Sequence, residues 1–409
     1  MQSRDLVSAL PGARVTGTLP GELTELVYDS RLAVPGSLFV CLEGLSSDGH
    51  RYAFQAVEAG AVAVVARVQP DPAVDVPLVF VADTREALAR LAASFYGQPT
   101  RRLKVVGVTG TNGKTTSTHF LTAGAEAAGD TTGRIVTIGY DYAGRHFDAP
   151  HTTPEAPVLN RLFREMAEAG VQFAAMEVSS HALEQRRSFG LDFAAVLFTN
   201  LTQDHLDYHP DLAAYYAAKR RLFQKSARGS GADPVAVINA DDPAGRRLAA
   251  EADGRVVTFG MEQPADYRAT VHRMDGQGTD LTLSTPAGPL ELHVTMVGPF
   301  NVLNAAGAAA AMLELGYPRE AVQRGLATLA GVPGRMERVD RGQPFAVIVD
   351  YAHTPDALER VLRATRAATA GRLIAVFGCG GARDRKKRPI MGRLATGLAD
   401  LSFITSDTP

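Results

Sequence analysis

The chain has 409 residues, of which 45% are hydrophobic and 21% are charged, and its formal net charge is −2 at pH 7. This length predicts two or three domains of ~100–200 residues each, and the balanced charge argues against nucleic acid or a membrane as the main partner. The two cysteines, Cys41 and Cys379, are too few for a disulfide scaffold or a zinc site. With no secretory signal apparent and no uncharged apolar run of ~18 residues, we expect a cytoplasmic protein.

The first unit, residues 1–97, is predicted to be a small α/β domain, because strand and helix patterns alternate along it. The strand patterns lie at Ser37–Leu42, Ala61–Ala66 and Leu78–Val81, and the helical patterns at Tyr52–Ala59 and Thr84–Phe95. Two polar turns, 28–31 and 44–50, are rich in Asp, Ser and Gly, so composition alone favours ordinary surface turns there.

A glycine-rich turn follows the first strand of the second unit, which spans residues 98–332. The apolar run that begins at Lys104 ends in the sequence TGTNGKTT at 109–116, and helix formers follow. Backbone N–H groups cradle phosphate in such a strand–turn–helix, Lys114 would reach the outer phosphates, and the Thr115 hydroxyl would lie on Mg²⁺. The strict phosphate-loop pattern needs glycine where this chain has Val108, so the loop here is a shorter variant of that pattern. An ordinary strand–turn–helix is the competing interpretation.

Two further strands are predicted to end in polar residues. Glu177 lies at the end of Phe173–Val178, and His205 follows the strand Ala194–Thr199. Parallel α/β sheets bind ligands at the carboxyl ends of their strands, so both side chains should lie beside the phosphate loop. Singly they could be a helix-capping acid and a turn residue, but three such strand ends together favour a metal–nucleotide site.

The rest of the second unit is predicted to contain two helices and a sheet edge. Lys219 lies on the predicted helix Leu212–Phe223, where a solvated side chain is the default expectation. Tyr267–Thr285 has the pattern of an antiparallel edge, and an alanine-rich helix begins near Asn301 and runs to Leu315.

The third unit, residues 333–409, contains three apolar runs with the pattern of buried strands, at Ala346–Asp350, Leu373–Phe377 and Leu401–Thr405. With helices between them, these runs predict half of a doubly wound parallel sheet. A strand this close to Pro409 would leave a sheet edge uncovered, and the unit is shorter than the ~100–150 residues of a typical domain. We therefore expect the chain to be part of a longer protein.

Eight passages, taken together and in this order, resemble the Mur ligases over essentially the whole chain. They are DSR at 29–31, SDGH at 47–50, HTTP at 151–154, MEVSSHAL at 176–183, TNLTQDHLDYH at 199–209, VPGRMERV at 332–339, VDYAHTPDAL at 349–358 and FGCGGARDRKKRPIMG at 377–392. The resemblance is to the ATP-dependent members that add the third amino acid to UDP-N-acetylmuramoyl-L-alanyl-D-glutamate in peptidoglycan synthesis. It implies a three-domain α/β architecture with a central ATPase sheet of the P-loop type and a truncated Rossmann-like C-terminal domain. The domains would be a UDP-substrate-binding domain (1–97), an ATP-binding domain (98–332) and an incomplete amino-acid-binding domain (333–409).

The resemblance also implies binding roles for individual residues. Those for the uridine nucleotide are Tyr28, Ser30, Leu45, Ser46 and Ser47. Those for ATP are Gly110, Thr111, Asn112, Gly113, Lys114, Thr115 and Thr116 on the phosphates, Asn301 and Asp350 on adenine and ribose, and Arg335 on phosphate. Those for the muramoyl-dipeptide are Thr152, Thr153, Ser179, Gln185 and Arg187, with Arg383 facing the incoming amino acid and Asp407 beginning its selectivity motif.

The same resemblance implies two Mg²⁺ ions and a modified lysine. Thr115 and Glu177 would hold one ion and His205 the second, and Lys219 matches the position that the family carbamylates, so its carbamate would bridge toward Mg²⁺. Lys114, Lys219, Glu177 and His205 are then the catalytic residues. ATP would phosphorylate the γ-carboxylate of D-Glu, and an amine would attack the acyl phosphate while the third domain excludes water.

The third amino acid is left open by the sequence. The chain has Asp407-Thr408-Pro409 where the family often has Asp-Asn-Pro-Arg, so diaminopimelate is the first choice and L-lysine or L-ornithine the next. A folylpolyglutamate synthase, which shares the phosphate loop but lacks the uridine-type domain, is a second interpretation. A non-catalytic module that binds the UDP-precursor is a third. We expect a monomer.

Overall fold

The computed structural model describes residues 2–44, 47–227, 229, 231, 233–275, 278–379, 385 and 387–406. The strands are β1 (Arg14–Thr16), β2 (Glu25–Val27), β3 (Ser37–Val40), β4 (Ala61–Ala66), β5 (Leu78–Phe80), β6 (Lys104–Thr109), β7 (Thr132–Val136), β8 (Gly139–Tyr142), β9 (Arg145–Phe147), β10 (Phe173–Glu177), β11 (Ala195–Phe198), β12 (Val235–Asn239), β13 (Val256–Gly260), β14 (Tyr267–Asp275), β15 (Gly278–Ser284), β16 (Leu290–Val294), β17 (Glu337–Val339), β18 (Val347–Val349), β19 (Ile374–Cys379) and β20 (Leu401–Ser406). The α-helices are α1 (Ser3–Ala9), α2 (Ala53–Glu58), α3 (Thr84–Phe95), α4 (Lys114–Ala127), α5 (Ala156–Glu168), α6 (Ser180–Glu184), α7 (Leu212–Arg220), α8 (Pro243–Glu251), α9 (Pro299–Glu314), α10 (Arg319–Thr328), α11 (Pro355–Ala367) and α12 (Lys387–Leu398). Across these ranges, we find no helix with the length and apolar character needed to cross a membrane.

The N-terminal part forms a five-stranded sheet in the order β1-β5-β4-β3-β2, in which only β1 runs antiparallel. Apolar side chains of β3 and β4, among them Leu38 and Val65, pack against Leu88 and Leu91 of α3. Helix α3 begins where the Asp83 carboxylate accepts hydrogen bonds from two backbone N–H groups of the first turn, a typical N-cap. The predicted α/β alternation in this part is confirmed, with α3 at the predicted bounds.

The central part is built on an eleven-stranded sheet in the order β16-β15-β14-β13-β12-β11-β6-β10-β7-β8-β9. Strand β6 lies between β10 and β11 and is parallel to both, so the carboxyl ends of all three strands meet at one edge. The predicted antiparallel edge is confirmed in β14, β15 and β16. Helices α4 and α9 contribute to the core on one face of this sheet, where α9 approaches closely because most of its buried residues are alanine.

The third part contains two small sheets in the described residues. Strands β19 and β20 pair in parallel, but β18 pairs antiparallel with β17. The prediction of one parallel sheet that includes Ala346–Asp350 is therefore wrong for this strand. The physical reason is the short connection between β17 and β18, because a local hairpin closes at little cost in chain entropy. Strand β17 was not predicted.

Candidate active site

The turn between β6 and α4 has a backbone that only glycine accepts at two positions. Gly110 has φ +150°, and a Cβ there would lie 1.9 Å from Thr199 Oγ1. Gly113 has φ +87°, and a Cβ there would lie 2.3 Å from Asn304 Oδ1. Both the left-handed backbone and the close neighbours thus require glycine. The turn places the N-terminus of α4, with its orphan N–H groups, at the edge of the sheet where an anion would bind.

Two lysines, the half-buried Lys114 and the buried Lys219, donate to the same carbonyl of this turn. Lys114 Nζ lies 3.0 Å from Gly110 O and 2.7 Å from Thr111 O, and Lys219 Nζ lies 2.8 Å from Gly110 O. Lys219 is only 1% exposed and its Nζ lies 4.4 Å from the centre of the Tyr215 ring. Burial lowers the pKa of Lys114, and burial together with the charge of Lys114 lowers the pKa of Lys219 well below its usual value. The default expectation of a solvated Lys219 is therefore wrong.

The Glu177 carboxylate is held by three donors at the end of β10. Its Oε1 accepts from Thr115 Oγ1 at 2.7 Å and from Thr137 N at 3.1 Å, and its Oε2 accepts from Thr137 Oγ1 at 3.1 Å. Arg335 Nη2 donates to Thr115 Oγ1 at 2.9 Å, so the Thr115 proton is directed to the carboxylate. Within the described residues Oε2 accepts a single bond, which leaves it a lone pair for a cation. The donor set therefore fits Mg²⁺, which prefers oxygen ligands.

His205 lies on the other side of the phosphate loop, in the left-handed region with φ +55°. Burial lowers its pKa to about 3 although the neighbouring Asp204 opposes the shift, so the imidazole is neutral at pH 7 and keeps a lone pair on nitrogen. Burial alone would raise the pKa of Asp204, but the nearby imidazoles of His353, whose Nε2 lies 3.7 Å from Asp204 Oδ2, and of His205 lower it. No group of three or more His, Cys, Asp or Glu residues suited to a metal was found in the part of the chain that the structure describes. Mg²⁺ needs no such group, because it usually takes one or two carboxylates and completes its shell with phosphate and water.

Two of the predicted dipeptide residues, Thr153 and Gln185, hydrogen-bond to Arg187. Its Nη1 donates to Thr153 O at 2.8 Å, its Nε and Nη2 donate to Gln185 Oε1 at 3.0 and 2.6 Å, and its Nε also lies 2.9 Å from Glu155 Oε1. Ser179 N donates to Thr153 Oγ1 at 3.1 Å. Within the described ranges these bonds leave one N–H on each terminal nitrogen of Arg187, which is the fork that binds a carboxylate with two hydrogen bonds.

The N-terminal domain brings Tyr28 toward the same region. Burial, followed by the charge of Glu155, raises the pKa of the Tyr28 hydroxyl, and the charge of Arg187 opposes the shift. Ser30 lies in a short 3-10 helix, and the backbone carbonyl of Ser47 accepts from Gly44 N at 2.8 Å. Four predicted site residues lie outside the described residues: Leu45, Ser46, Arg383 and Asp407.

Two cavities open between the central and third domains. One of about 730 Å³ is lined by the phosphate loop, Glu177, His205 and Lys219 together with the third-domain strands β19 and β20. The other, of about 500 Å³, is lined by Asn301, Asp350 and further residues of both domains. The domains also touch directly, because Asn112 Nδ2 donates to Asp356 Oδ2 at 3.0 Å. The third domain therefore faces the loop across a shared site.

Four residues of this site were not predicted as site residues. They are Thr137, Glu155, Tyr215 and Asp356. Two carried a readable signal, because Thr137 directly follows a strand and Tyr215 precedes Lys219 by four residues on α7, which places them on one helix face. For the others the sequence offers no local pattern, since their roles depend on contacts between distant segments.

Comparison with known proteins matches three family models to consecutive parts of the chain. They are the Mur ligase family catalytic domain at residues 22–96, the Mur ligase middle domain at 108–312 and the Mur ligase glutamate ligase domain at 334–409. A protein of Geobacillus thermodenitrificans named UDP-N-acetylmuramoyl-L-alanyl-D-glutamate–2,6-diaminopimelate ligase is 46% identical over 100% of this chain and 84% of its own length. A protein of the same name from Listeria monocytogenes is 41% identical, over 100% of this chain and 83% of its own length.

Two solved structures are similar to this chain over most of its length. A structure titled as a UDP-N-acetylmuramoyl-L-alanyl-D-glutamate–2,6-diaminopimelate ligase superposes with a TM-score of 0.74 at 32% identity, over 95% of this chain and 79% of that one. A Mycobacterium tuberculosis folylpolyglutamate synthase complexed with ADP has a TM-score of 0.66 at 19% identity, over 80% of this chain and 78% of that one. At that identity the second likeness shows the fold alone.

Proposed function

The chain belongs to the Mur ligase family, and on that premise we propose that it is an ATP-dependent ligase that joins 2,6-diaminopimelate to UDP-N-acetylmuramoyl-L-alanyl-D-glutamate in peptidoglycan synthesis. The product bond is an amide on the D-Glu γ-carboxylate. One observation carries the proposal, which is that the phosphate loop, the Glu177 carboxylate and the buried Lys219 line one cavity. The names of relatives at 41–46% identity support diaminopimelate over L-lysine or L-ornithine.

ATP is assigned to the junction of the central and third domains. Its phosphates would bind 110–116 with Lys114, and its adenine and ribose would lie against Asn301 and Asp350, which line one cavity with Arg335. Burial raises the pKa of Asp350, and Met336 N donates to its Oδ2 at 2.8 Å. The positions of the sheets support the domain limits 1–97, 98–332 and 333–409, because the strands of each sheet fall within one of these ranges.

Glu177 and Thr115 would hold one Mg²⁺, and His205 with carbamylated Lys219 would hold the second. Bound Mg²⁺ supplies positive charge that offsets the repulsion between the triphosphate and the substrate carboxylate. The geometry supports a modified lysine, because the ammonium groups of half-buried Lys114 and buried Lys219 would repel each other on the single Gly110 carbonyl. A carbamate at Lys219 turns that repulsion into attraction and keeps one N–H for the same carbonyl.

The chemistry follows from the arrangement of donors. A carboxylate is a poor electrophile, so ATP first converts it to an acyl phosphate, with Lys114 stabilising the charge on the transferred group. Arg187 and its partners Thr153 and Gln185 would orient the dipeptide, and an amine of the amino acid then displaces phosphate. The third domain faces the loop across the cavity and would keep water from the acyl phosphate. A cytoplasmic location and a monomeric state remain predictions from the sequence.

The proposal is tested by measuring ADP release and ligated product with a panel of amino acids. We expect turnover only when the UDP-dipeptide and diaminopimelate are both present, with little product from L-lysine or L-ornithine. Turnover driven by a folate and glutamate would instead identify a folylpolyglutamate synthase. Tight binding of the UDP-dipeptide without ADP formation with any amino acid would identify a binding module and contradict the proposal.

A further inference from the structure

Thr137 connects two parts of the site that the sequence had treated separately. It directly follows β7, and its backbone N–H and its hydroxyl each lie 3.1 Å from one oxygen of the Glu177 carboxylate. The same hydroxyl lies 3.1 Å from Thr152 Oγ1. Thr152, Thr137 and Glu177 thus form a continuous hydrogen-bonded chain, and all three line the cavity shared with the third domain.

The Glu177 carboxylate fixes the direction of each hydrogen bond in this series of three side chains. An ionised carboxylate only accepts, so the Thr137 hydroxyl must donate to Glu177 Oε2. A hydroxyl has one proton, so Thr137 Oγ1 can only accept from Thr152, and the Thr152 proton must point toward Thr137. Thr152 therefore presents lone pairs rather than a proton to the cavity.

From this geometry we propose that Thr137 is a positioning residue, which fixes the Glu177 carboxylate and at the same time polarises Thr152 as an acceptor for the bound UDP-precursor. The inference rests on the proposed function, and it deepens it by naming the kind of ligand group that meets Thr152. That group is a donor, an amide N–H or a sugar hydroxyl of the precursor, and not a phosphate oxygen.

Loss of the Thr137 hydroxyl would affect both Glu177 and Thr152, the two ends of the hydrogen-bonded series. Without the Thr137 hydroxyl, Glu177 Oε2 loses the one donor that it has among the described residues, and the Thr152 proton is free to rotate into the cavity. The precursor donor would then meet either a proton or a misdirected lone pair, so its affinity falls even though Thr137 itself does not touch it. Thr115 and the Thr137 backbone N–H still hold Glu177 Oε1, so the fold of the site persists.

The test compares Thr137→Val, which keeps the shape and removes the hydroxyl, with Thr137→Ser, which keeps the hydroxyl. The matched control is Thr132→Val at the start of β7, because the Thr132 hydroxyl lies 2.6 Å from Glu126 Oε1 and Thr132 does not line the cavity. Binding of the UDP-dipeptide is measured by calorimetry without nucleotide or Mg²⁺. We expect the affinity for the UDP-dipeptide to fall by about tenfold in Thr137→Val, which is typical of one lost hydrogen bond. It should fall by less than about twofold in Thr137→Ser and in the control.

A double variant distinguishes coupling from a merely structural role. If the two hydroxyls act as a unit, adding Thr137→Val to a Thr152→Val variant weakens UDP-dipeptide binding by less than about a further twofold. The hydrogen bond between the two side chains is already lost in the Thr152→Val variant. Independent losses that multiply in the double variant, or equal losses in Thr137→Ser and Thr137→Val, would overturn the proposal. Wild-type affinity in Thr137→Val would overturn it as well. If the wild-type protein did not bind the UDP-dipeptide, the proposed function would fail first and this inference with it.

Discussion

Gly113→Ala is expected to weaken nucleotide binding by roughly a hundredfold while leaving most of the chain folded. The substitution adds one methyl group at the junction of the phosphate loop and α4, at φ +87°. This φ lies outside the region that an alanine adopts without strain, and the new Cβ would lie 2.3 Å from Asn304 Oδ1. Both problems fall on the segment that would hold the phosphates.

The size of the effect follows from two contributions. A non-glycine residue at such a φ costs about 1–3 kcal/mol in backbone strain. Asn304 is buried on α9, and its side chain must retreat by about 1 Å to reach ordinary van der Waals separation, at a further ~1–3 kcal/mol. If the loop opens to relieve about 3 kcal/mol of this strain, the loop geometry that binds nucleotide becomes rarer by roughly a hundredfold.

The measurement is the dissociation constant of Mg-ADP by calorimetry, together with thermal unfolding of each variant. Gly129→Ala is the matched control, because Gly129 follows the other end of α4 at φ +99° and a Cβ there meets nothing within 4 Å. The control has the backbone strain without the clash, so it should lose stability and retain nucleotide affinity. Nucleotide affinity within about threefold of wild type in Gly113→Ala would refute the argument that this loop geometry is what binds phosphate.

Three further changes test other parts of the site. Lys219→Ala should abolish ligation, and added formate or acetate should restore part of it, whereas Lys225→Ala at an exposed position should ligate normally; full activity of Lys219→Ala would rule out the carbamate. Asp356→Ala should raise KM for ATP by about threefold to tenfold and release ADP without ligated product, unlike Glu359→Ala on the exposed face of α11; unchanged coupling would show that this contact between domains is dispensable. Burial lowers the pKa of His119 from 6.5 to about 3, so the unfolded chain binds a proton that the folded chain does not, and stability should be lost as pH falls from about 6.5 toward 3. His119→Gln should reduce that pH slope by about 1.4 kcal/mol per pH unit in urea unfolding, and an unchanged slope would contradict the assignment.

Much of the fold was readable from the sequence because its signals are local. The strand, glycine turn and helix around 104–128 follow from short-range residue preferences, and so do the cap and bounds of α3. Family membership, predicted from motifs spread over the chain, is confirmed by the matched family models. The convergence of Glu177 and His205 on the loop was predicted from a general rule for parallel sheets, and the structure places both at that edge.

The remaining features depend on contacts that no local pattern encodes. Lys219 has the sequence surroundings of an exposed helical lysine, and its burial follows from the tertiary position of α7 against the Gly110 carbonyl. The pairing of β18 with β17 was missed, because β17 is three residues long and polar at two of them. Thr137 directly follows a strand, but that position alone does not reveal its hydrogen bonds to Glu177 and Thr152, which come from other segments.

Closure of the third domain and the geometry of the phosphate loop depend on the same contacts. Arg335 donates to Thr115, and Asn112 donates to Asp356, so both contacts from the third domain end on residues of the loop itself. An acyl phosphate survives only where water is excluded, which requires the domain to be closed while the intermediate exists. If the loop is distorted, as in Gly113→Ala, these contacts lose their partners, and if Asp356 is removed, the loop loses one of its supports. Asp356→Ala should therefore consume ATP without forming an amide bond, whereas Gly113→Ala, which also weakens nucleotide binding, should lower ATP consumption as well.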